Sequence, residues 1–268
     1  MNGVILLVGC GKMGGAMLDG WAARGLAGAG VHVVEPEADP RYAAIPGVSV
    51  HGGPESLPAG LAPSTVVFAV KPQSMDAVAP AYRRFVGPST VFLSIAAGKT
   101  IGYFERHLGA AAIVRSMPNT PAAIGRGMTV AVPNGAVSPD QRAACDALLG
   151  AVGEVAWVDD EALLDAVTAV SGSGPAYVFL LIECLAEAGR EAGLPGALAM
   201  RLARATVSGA GDLVRASADP PATLRKNVTS PGGTTQAALE VLMAADGMQA
   251  LMTRAVRAAT DRSRALAG

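Results

Sequence analysis

A glycine-rich segment near the start of the chain constrains the fold more than any other feature. Gly9, Gly11 and Gly14 have the spacing G-x-G-x-x-G, directly after an apolar run at residues 4–8 and at the start of a helix-like pattern at 14–24. In such a setting the first glycine permits a tight turn, the second lets a pyrophosphate approach the backbone, and the third lets the helix pack closely on the strand. The helix N-terminus offers free N–H groups to the phosphates. The segment therefore predicts a strand–turn–helix unit that binds a dinucleotide.

The rest of the first half alternates short β-branched runs with helix-like segments. Candidate helices occur at 74–85 and 100–108, and Ser138 with Gln141 forms a capping-box pattern that begins another helix. This alternation predicts an α/β Rossmann domain, with a doubly wound, mostly parallel sheet, over residues 1–157. The candidate strands are residues 4–8, 31–35, 65–70, 90–95, 112–116 and 128–132.

After Val158 the strand pattern ends. The remaining sequence is rich in Ala, Leu and Met at helical spacing and is interrupted by Gly, Pro and Ser. We therefore expect a second, all-helical domain over residues 158–268. Its candidate helices are residues 162–170, 176–192, 197–215, 234–245 and 248–266.

Charge and hydropathy exclude some classes of partner. The chain has 21 basic and 22 acidic residues without a Lys/Arg cluster, so the sequence predicts neither a nucleic-acid partner nor binding to an anionic membrane surface. The apolar run at 176–182 is stopped by Glu183, and we expect no transmembrane helix.

Cysteine and histidine usage bears on compartment and metal. Cys10, Cys145 and Cys184 form no C-x-x-C pair and are odd in number, which favours a reducing, cytoplasmic location over a disulfide scaffold. The three histidines are scattered along the chain, so no metal site is predicted.

Residues at predicted strand ends bear on cofactor choice. Glu35 lies about 20 residues beyond Gly14, where a carboxylate accepts a hydrogen bond from a ribose 2′-OH and repels a 2′-phosphate. Arg41, six residues further on, could instead serve a 2′-phosphate, so the sequence leaves both NADH and NADPH open, with a lean towards NADH. Lys71 ends another predicted strand, either as a cofactor contact or as a solvated lysine that begins a loop.

Two glycine-containing segments stand out in the helical half, at residues 171–177 and 229–235. The second precedes a helical pattern, so Gly233, Thr234 and Thr235 would present unpaired N–H groups and two hydroxyls to a carboxylate-sized anion. The alternative is an ordinary helix capped by Ser or Thr.

Several segments in a fixed order are typical of one protein family: residues 9–14, Ala-Val-Lys-Pro at 69–72, and residues 94–98, 117–121, 171–177 and 224–235. Through these segments the sequence resembles the pyrroline-5-carboxylate reductase family over nearly its whole length. The resemblance implies a Rossmann domain followed by a helical domain that interlocks with a second copy, giving a homodimer that can assemble further into rings.

The resemblance also implies an activity and its residues. A hydride from NADH or NADPH would reduce the C=N carbon of a cyclic imino acid, with the active site between the nicotinamide and the loop at 230–235. By this resemblance the substrate would contact Glu161, Ser230, Gly233, Thr234 and Thr235, with Thr235 facing the ring nitrogen as the catalytic residue. The expected cofactor contacts are Gly9, Cys10, Gly11, Lys12, Met13, Gly14, Glu35, Pro36, Ala69, Val70, Lys71, Pro72, Ala96, Ala97 and Asn227.

Two other functions fit a two-domain dinucleotide protein. A 3-hydroxyacid dehydrogenase needs a lysine on a helix of the second domain, and Lys226, beside the glycine loop, is the only lysine after residue 99. A non-catalytic dinucleotide-binding regulator would need no second anion site, which the 229–235 segment supplies.

Overall fold

The computed structural model describes residues 3–267, and eight strands in its first part form one sheet. The spatial order is β3-β2-β1-β4-β5-β6-β7-β8, and only the β6–β7 pair is antiparallel among the pairings of these described strands. The predicted doubly wound, mostly parallel sheet is confirmed, and the order reverses beside β1, where such sheets bind ligands. The strands are β1 Ile5–Val8, β2 Val31–Val34, β3 Val48–His51, β4 Thr65–Phe68, β5 Val91–Ser94, β6 Ala112–Met117, β7 Gly127–Pro133 and β8 Gly153–Trp157.

Helices cover the sheet and make up the later part of the chain. Ser138 caps α4 as predicted: its Oγ accepts from the Gln141 N–H at 3.2 Å, and Gln141 Oε1 accepts from the Ser138 N–H at 2.9 Å. The α-helices are α1 Lys12–Ala23, α2 Met75–Val78, α3 Ile101–Leu108, α4 Pro139–Gly150, α5 Leu163–Val167, α6 Gly174–Glu191, α7 Gly196–Ala216, α8 Pro221–Asn227, α9 Thr234–Leu242 and α10 Met248–Ala267.

The sheet is buried on both faces. Because side chains alternate along a strand, Ile5 and Leu7 enter one apolar cluster with Trp21 of α1, whereas Leu6 and Val8 enter the cluster on the other face. Trp21 Nε1 donates to the Leu148 carbonyl oxygen at 2.9 Å, so its one polar atom is satisfied inside the core. This packing holds the ends of the central strands in fixed positions.

The structure departs from the predicted elements in several places. Strands β3 and β8 and helix α8 were not predicted. The helix expected at 74–85 is one α-turn, α2, followed by a 3-10 helix at Ala79–Phe85, because Pro80 lacks the N–H that an α-helix would use. The helix expected at 162–170 is α5 followed by a π-helix at Thr168–Gly172.

The chain separates into two compact units. The first comprises residues 3–172 and 259–267, and the second comprises residues 173–258. The predicted domain boundary at 157/158 falls before this division, and the domain limits 1 and 268 lie outside the described residues. Helix α10 begins in the second unit and ends in the first. The strand and helix patterns of the sequence do not show that the end of the chain belongs to the first unit.

One described stretch, Leu163–Glu191, is long and apolar enough to cross a membrane by length and composition alone, with 11% of its most apolar window buried. Helix α6 carries much of this exposed apolar surface, including Phe179, Leu180 and Leu181. Exposed apolar side chains on this scale mark a contact surface of the protein. The expectation of no transmembrane helix stays a prediction.

Candidate active site

The three loop glycines each meet a different local requirement. Gly9 has φ +91°, and a Cβ there would lie 2.7 Å from the Val70 nitrogen. A Cβ on Gly14 would clash with the Gly9 carbonyl oxygen, so the turn and the helix start leave no room for side chains. A Cβ on Gly11, by contrast, would have no atom within 4 Å. The loop is therefore tight at both ends and open at its middle glycine.

Glu35 is fixed beside this loop by the pairing of the first two strands. Val8 of β1 lies opposite Val34 of β2, so the residues just after these strands are neighbours. The Cys10 N–H donates to Glu35 Oε2 at 2.9 Å, and the Glu37 N–H donates to Oε1 at 3.4 Å. A carboxylate oriented in this way at the end of β2 is the acceptor that a ribose hydroxyl needs.

A cavity of about 460 Å³ opens at the carboxyl ends of the central strands. The residues that follow β4, Ala69 to Lys71, form one wall, and Tyr82 lines the cavity from the 3-10 helix after α2. Its position at the reversal of strand order is where doubly wound sheets bind dinucleotides. The predicted cofactor residues that line it are Gly9, Gly11, Glu35, Pro36, Ala69, Val70 and Lys71.

The other predicted cofactor residues have different surroundings. Cys10 and Lys12 line a neighbouring cleft of about 470 Å³ that also reaches Gly11. Ala96 is buried in the core, whereas Ala97 is exposed. Met13 packs against the core beside the buried Gly14, and Pro72 begins a 3-10 helix outside the cavity lining. Asn227, the last residue of α8, belongs to the second compact unit.

Sequence reasoning missed one wall of the cavity. Gly52, Gly53 and Pro54, which come after β3, line the cavity. The segment around α2 also contributes to the lining, with Ser74, Ala77, Val78, Ala81 and Tyr82. The signal was present in the alternation of Val48–His51 followed by Gly-Gly-Pro, which is typical of a short strand that ends in a turn.

Cys10 is a packing residue of the loop. Its side chain is buried against the core, and burial raises the pKa of its thiol to about 11, with the Glu35 carboxylate adding to the rise. The thiol is therefore protonated at neutral pH and is a poor nucleophile.

Glu161 is bound within the first unit. Its Oε1 accepts from Arg115 Nη1 at 2.7 Å and from the Ile101 N–H at 2.8 Å. Arg115, on β6, is only 5% exposed, so this carboxylate compensates a buried guanidinium and also caps the start of α3. These contacts give Glu161 a structural role, and its expected contact with substrate stays a prediction.

The π-helix is joined to the loop after β6. Asn119 Nδ2 donates to the carbonyl oxygen of Ser171 at 3.3 Å and to its Oγ at 3.2 Å, while Asn119 Oδ1 accepts from the Met128 N–H at 2.9 Å. A Cβ on Gly172 would lie 2.6 Å from Met117 Cε. The segment 117–121 thus contacts the beginning of the segment 171–177. The residues in contact, up to Gly172, all belong to the first unit.

In the second unit, Gly233 is the N-cap residue of α9, and no side chain caps this helix. The Gln236 side chain instead accepts from the Gly232 N–H at 2.8 Å, and Gly232 has φ +69°. The alternative of an ordinary Ser- or Thr-capped helix is therefore wrong. The expectation that Gly233 presents an unpaired N–H is wrong, because this N–H donates to the Ser230 carbonyl oxygen at 3.0 Å. The N–H groups of Thr234 and Thr235, in the first turn of α9, lack acceptors within the helix, which suits an anion.

Within residues 3–267, no group of three or more His, Cys, Asp and Glu side chains is arranged to hold a metal ion. The features of this part of the chain that suit ligands are the cavity at the glycine loop and the start of α9.

Comparison with known proteins shows which family the chain is similar to. A family profile described as pyrroline-5-carboxylate reductase dimerisation matches residues 161–266. A pyrroline-5-carboxylate reductase from Pseudomonas aeruginosa is 42% identical over 265 residues, covering 98% of this chain and 96% of its own.

Two solved structures share the fold. A pyrroline-5-carboxylate reductase from Coxiella burnetii has a TM-score of 0.90 and 32% identity, with both chains covered over 100%. A pyrroline carboxylate reductase from Plasmodium falciparum, with NADP bound, has a TM-score of 0.81 and 29% identity, covering 100% of this chain and 99% of its own.

Proposed function

The chain belongs to the pyrroline-5-carboxylate reductase family, and we propose that it reduces 1-pyrroline-5-carboxylate to proline with NADH or NADPH as reductant. The observation that carries the proposal is the combination of full-length similarity to a reductase with a cavity at the glycine loop. The cavity alone would not identify the reaction, because the same fold also serves other reactions.

The residues present fit a dinucleotide. Gly11 faces open space that a side chain would fill, beside the start of α1, which is where a pyrophosphate would lie against backbone N–H groups. Glu35 is already oriented by the Cys10 N–H and offers its remaining acceptor capacity to a ribose hydroxyl. Lys71 and the walls contributed by residues 52–54 would enclose the adenosine half.

When bound, the dihydronicotinamide would supply a hydride that adds to the C=N carbon of the protonated imine, and the ring nitrogen would become a secondary amine. The protein's tasks are to hold the imine at attack distance and to exclude water. We infer that the N–H groups of Thr234 and Thr235 bind the substrate carboxylate, with Gly233 and the hydroxyls of Ser230 and Thr234 beside them. Thr235 would orient the ring nitrogen or a water through its hydroxyl, since an unperturbed hydroxyl is a poor acid.

We further propose that the helical part joins two copies of the chain. Helices α6 and α7 expose apolar side chains that include Phe179, Leu180, Leu202 and Leu213. A two-fold interface between copies would bury such faces in both chains at once. The match of residues 161–266 to a dimerisation profile supports this assignment, and assembly into rings stays a prediction.

The two competing functions are less well supported. Lys226 lies in the short helix α8, whereas a 3-hydroxyacid dehydrogenase would need its lysine on a long helix of the second domain. A regulator without catalysis would have no use for the uncapped start of α9.

The decisive experiment monitors absorbance at 340 nm with pyrroline-5-carboxylate and each reduced cofactor in turn. We expect oxidation of at least one cofactor and formation of proline in equal amount. Absence of turnover with both cofactors would overturn the proposal. Light scattering during size-exclusion chromatography would test the oligomer, because a monomer at micromolar concentration contradicts the proposed interface.

A further inference from the structure

The ion pairs around Arg41 bear on which of the two cofactors the cavity accepts. Arg41 lies in the 3-10 helix after β2 and lines a cleft together with Gly11 and Glu37. It is the residue of this segment that could neutralise a phosphate on the ribose 2′-oxygen. Whether its guanidinium is available depends on the contacts it already makes.

Arg41 is held from several sides at once. Its Nη1 and Nη2 donate to the two carboxylate oxygens of Asp19 at 3.1 and 2.7 Å, and its Nε lies 3.3 Å from Asp39 Oδ2. Nη2 also donates to the Tyr42 hydroxyl at 2.8 Å. A bidentate arrangement with a carboxylate uses the same donors that a phosphate would need.

The charges nearby oppose a second phosphate. The cleft that contains Arg41 is lined by Asp19, Glu37 and Asp39 against only Lys12 and Arg41. On the cavity side of the glycine loop, Glu35 adds a further carboxylate and Lys71 a further cation, which makes four carboxylates against three cations. A 2′-phosphate carries between one and two negative charges, so it would enter a region where carboxylates outnumber cations.

We propose that this chain discriminates against NADPH in favour of NADH, and that Asp19 is a positioning residue for this choice because it holds Arg41 away from the 2′-oxygen. Glu35 receives the ribose hydroxyl directly, and Asp19 acts only through Arg41. The inference deepens the proposed function, since it concerns the reductant of the same reaction.

Binding measured without imine separates this inference from the proposed reaction. Dissociation constants for NADH and NADPH are obtained from the nicotinamide fluorescence of each cofactor titrated with the whole protein. We expect NADH to bind about tenfold or more tightly than NADPH. Equal affinities, or tighter binding of NADPH, overturn the inference. If the preference is found but no imine is reduced, the proposed function fails and the inference stands.

Variants then test which residues cause the preference for NADH. Asp19→Ala should tighten NADPH binding by about fivefold or more and leave NADH within about twofold, whereas Asp19→Glu should restore discrimination. Arg41→Ala in the unchanged background should leave NADPH affinity as it is, and in the Asp19→Ala background it should cancel the gain. A loss of NADPH affinity on Arg41→Ala alone, or an equal effect of Asp19→Ala on both cofactors, contradicts the role of Asp19.

A charge-specific control uses Glu35→Gln. The amide oxygen can still accept from the Cys10 N–H, so the loop geometry is kept while the charge is removed. We expect the ratio of the NADPH to the NADH dissociation constant to fall. An unchanged ratio would contradict the electrostatic basis of the inference.

Discussion

Replacing Gly11 by Val separates cofactor binding from folding. Gly11 is the N-cap residue of α1 with φ −69° and ψ −158°, an extended conformation that valine adopts. A Cβ there meets no atom within 4 Å, so we expect a loss of only about 0.5 to 1 kcal/mol in the free energy of unfolding, from the poorer N-cap. The added methyl groups, however, would occupy the space through which a pyrophosphate reaches the N–H groups of α1.

The predicted loss of cofactor affinity is about 100-fold or more, which corresponds to about 2.7 kcal/mol. Fluorescence titration with NADH and NADPH measures the affinity, and urea unfolding measures the stability. Gly14→Val is the matched control in the same loop: its Cβ would meet the Gly9 carbonyl oxygen, so this variant should lose stability as well as binding. Cofactor affinity within about threefold of the unchanged protein for Gly11→Val would refute the reasoning.

Contacts elsewhere in the chain give three further predictions. Thr235→Ala should lower kcat/KM by an amount equivalent to about 1 to 3 kcal/mol while Thr235→Ser retains most activity, and equal activity of both variants would remove the hydroxyl from the mechanism. Glu161→Gln should lower the free energy of unfolding by about 1 to 3 kcal/mol in urea, because the buried Arg115 loses its carboxylate, whereas the exposed control Glu154→Gln should not. Burial raises the pKa of Cys145 from 9.0 to about 12, so the folded chain binds more protons and stability falls as pH rises above 9. Thermal unfolding from pH 8 to 11 should show this fall, and Cys145→Ala should make it less steep, with Cys10 still contributing; a parallel profile in the variant would contradict the assignment.

Much of the fold could be predicted from the sequence, because local patterns and glycine spacing reflect interactions between residues that are close together in the chain. The capping box at Ser138 and the tight turn at Gly9 depend on neighbours a few residues away, and both were predictable. Strand β3 was missed because it lies half-buried at the edge of the sheet and only alternate residues are apolar, whereas β1, of equal length, is a continuous buried apolar run. The long helix expected at 74–85 failed because Pro80 removes a donor within it.

The candidate site was likewise predictable from the sequence only in part. Gly9, Gly11 and Glu35 could be placed in one cavity because the carboxyl ends of parallel strands meet at one edge. Residues 52–54 were not predicted as cavity residues, because their place in the cavity wall depends on how β3 pairs with β2. Glu161 looked like a pocket residue, and only the fold brings Arg115 and the Ile101 N–H to the same carboxylate oxygen from distant parts of the chain.

The sequence by itself thus determined the class of fold, the turn that suits a pyrophosphate and the identity of the two residues, Glu35 and Arg41, on which we propose that cofactor choice depends. Tertiary structure decided what those residues can do. Asp19 is on α1 and Arg41 comes after β2, and their separation along the chain hides a bidentate ion pair that forms only when helix and strand pack together. The charge of a side chain follows from the sequence. Whether that charge can bind a ligand depends on the partners that folding brings within hydrogen-bond distance.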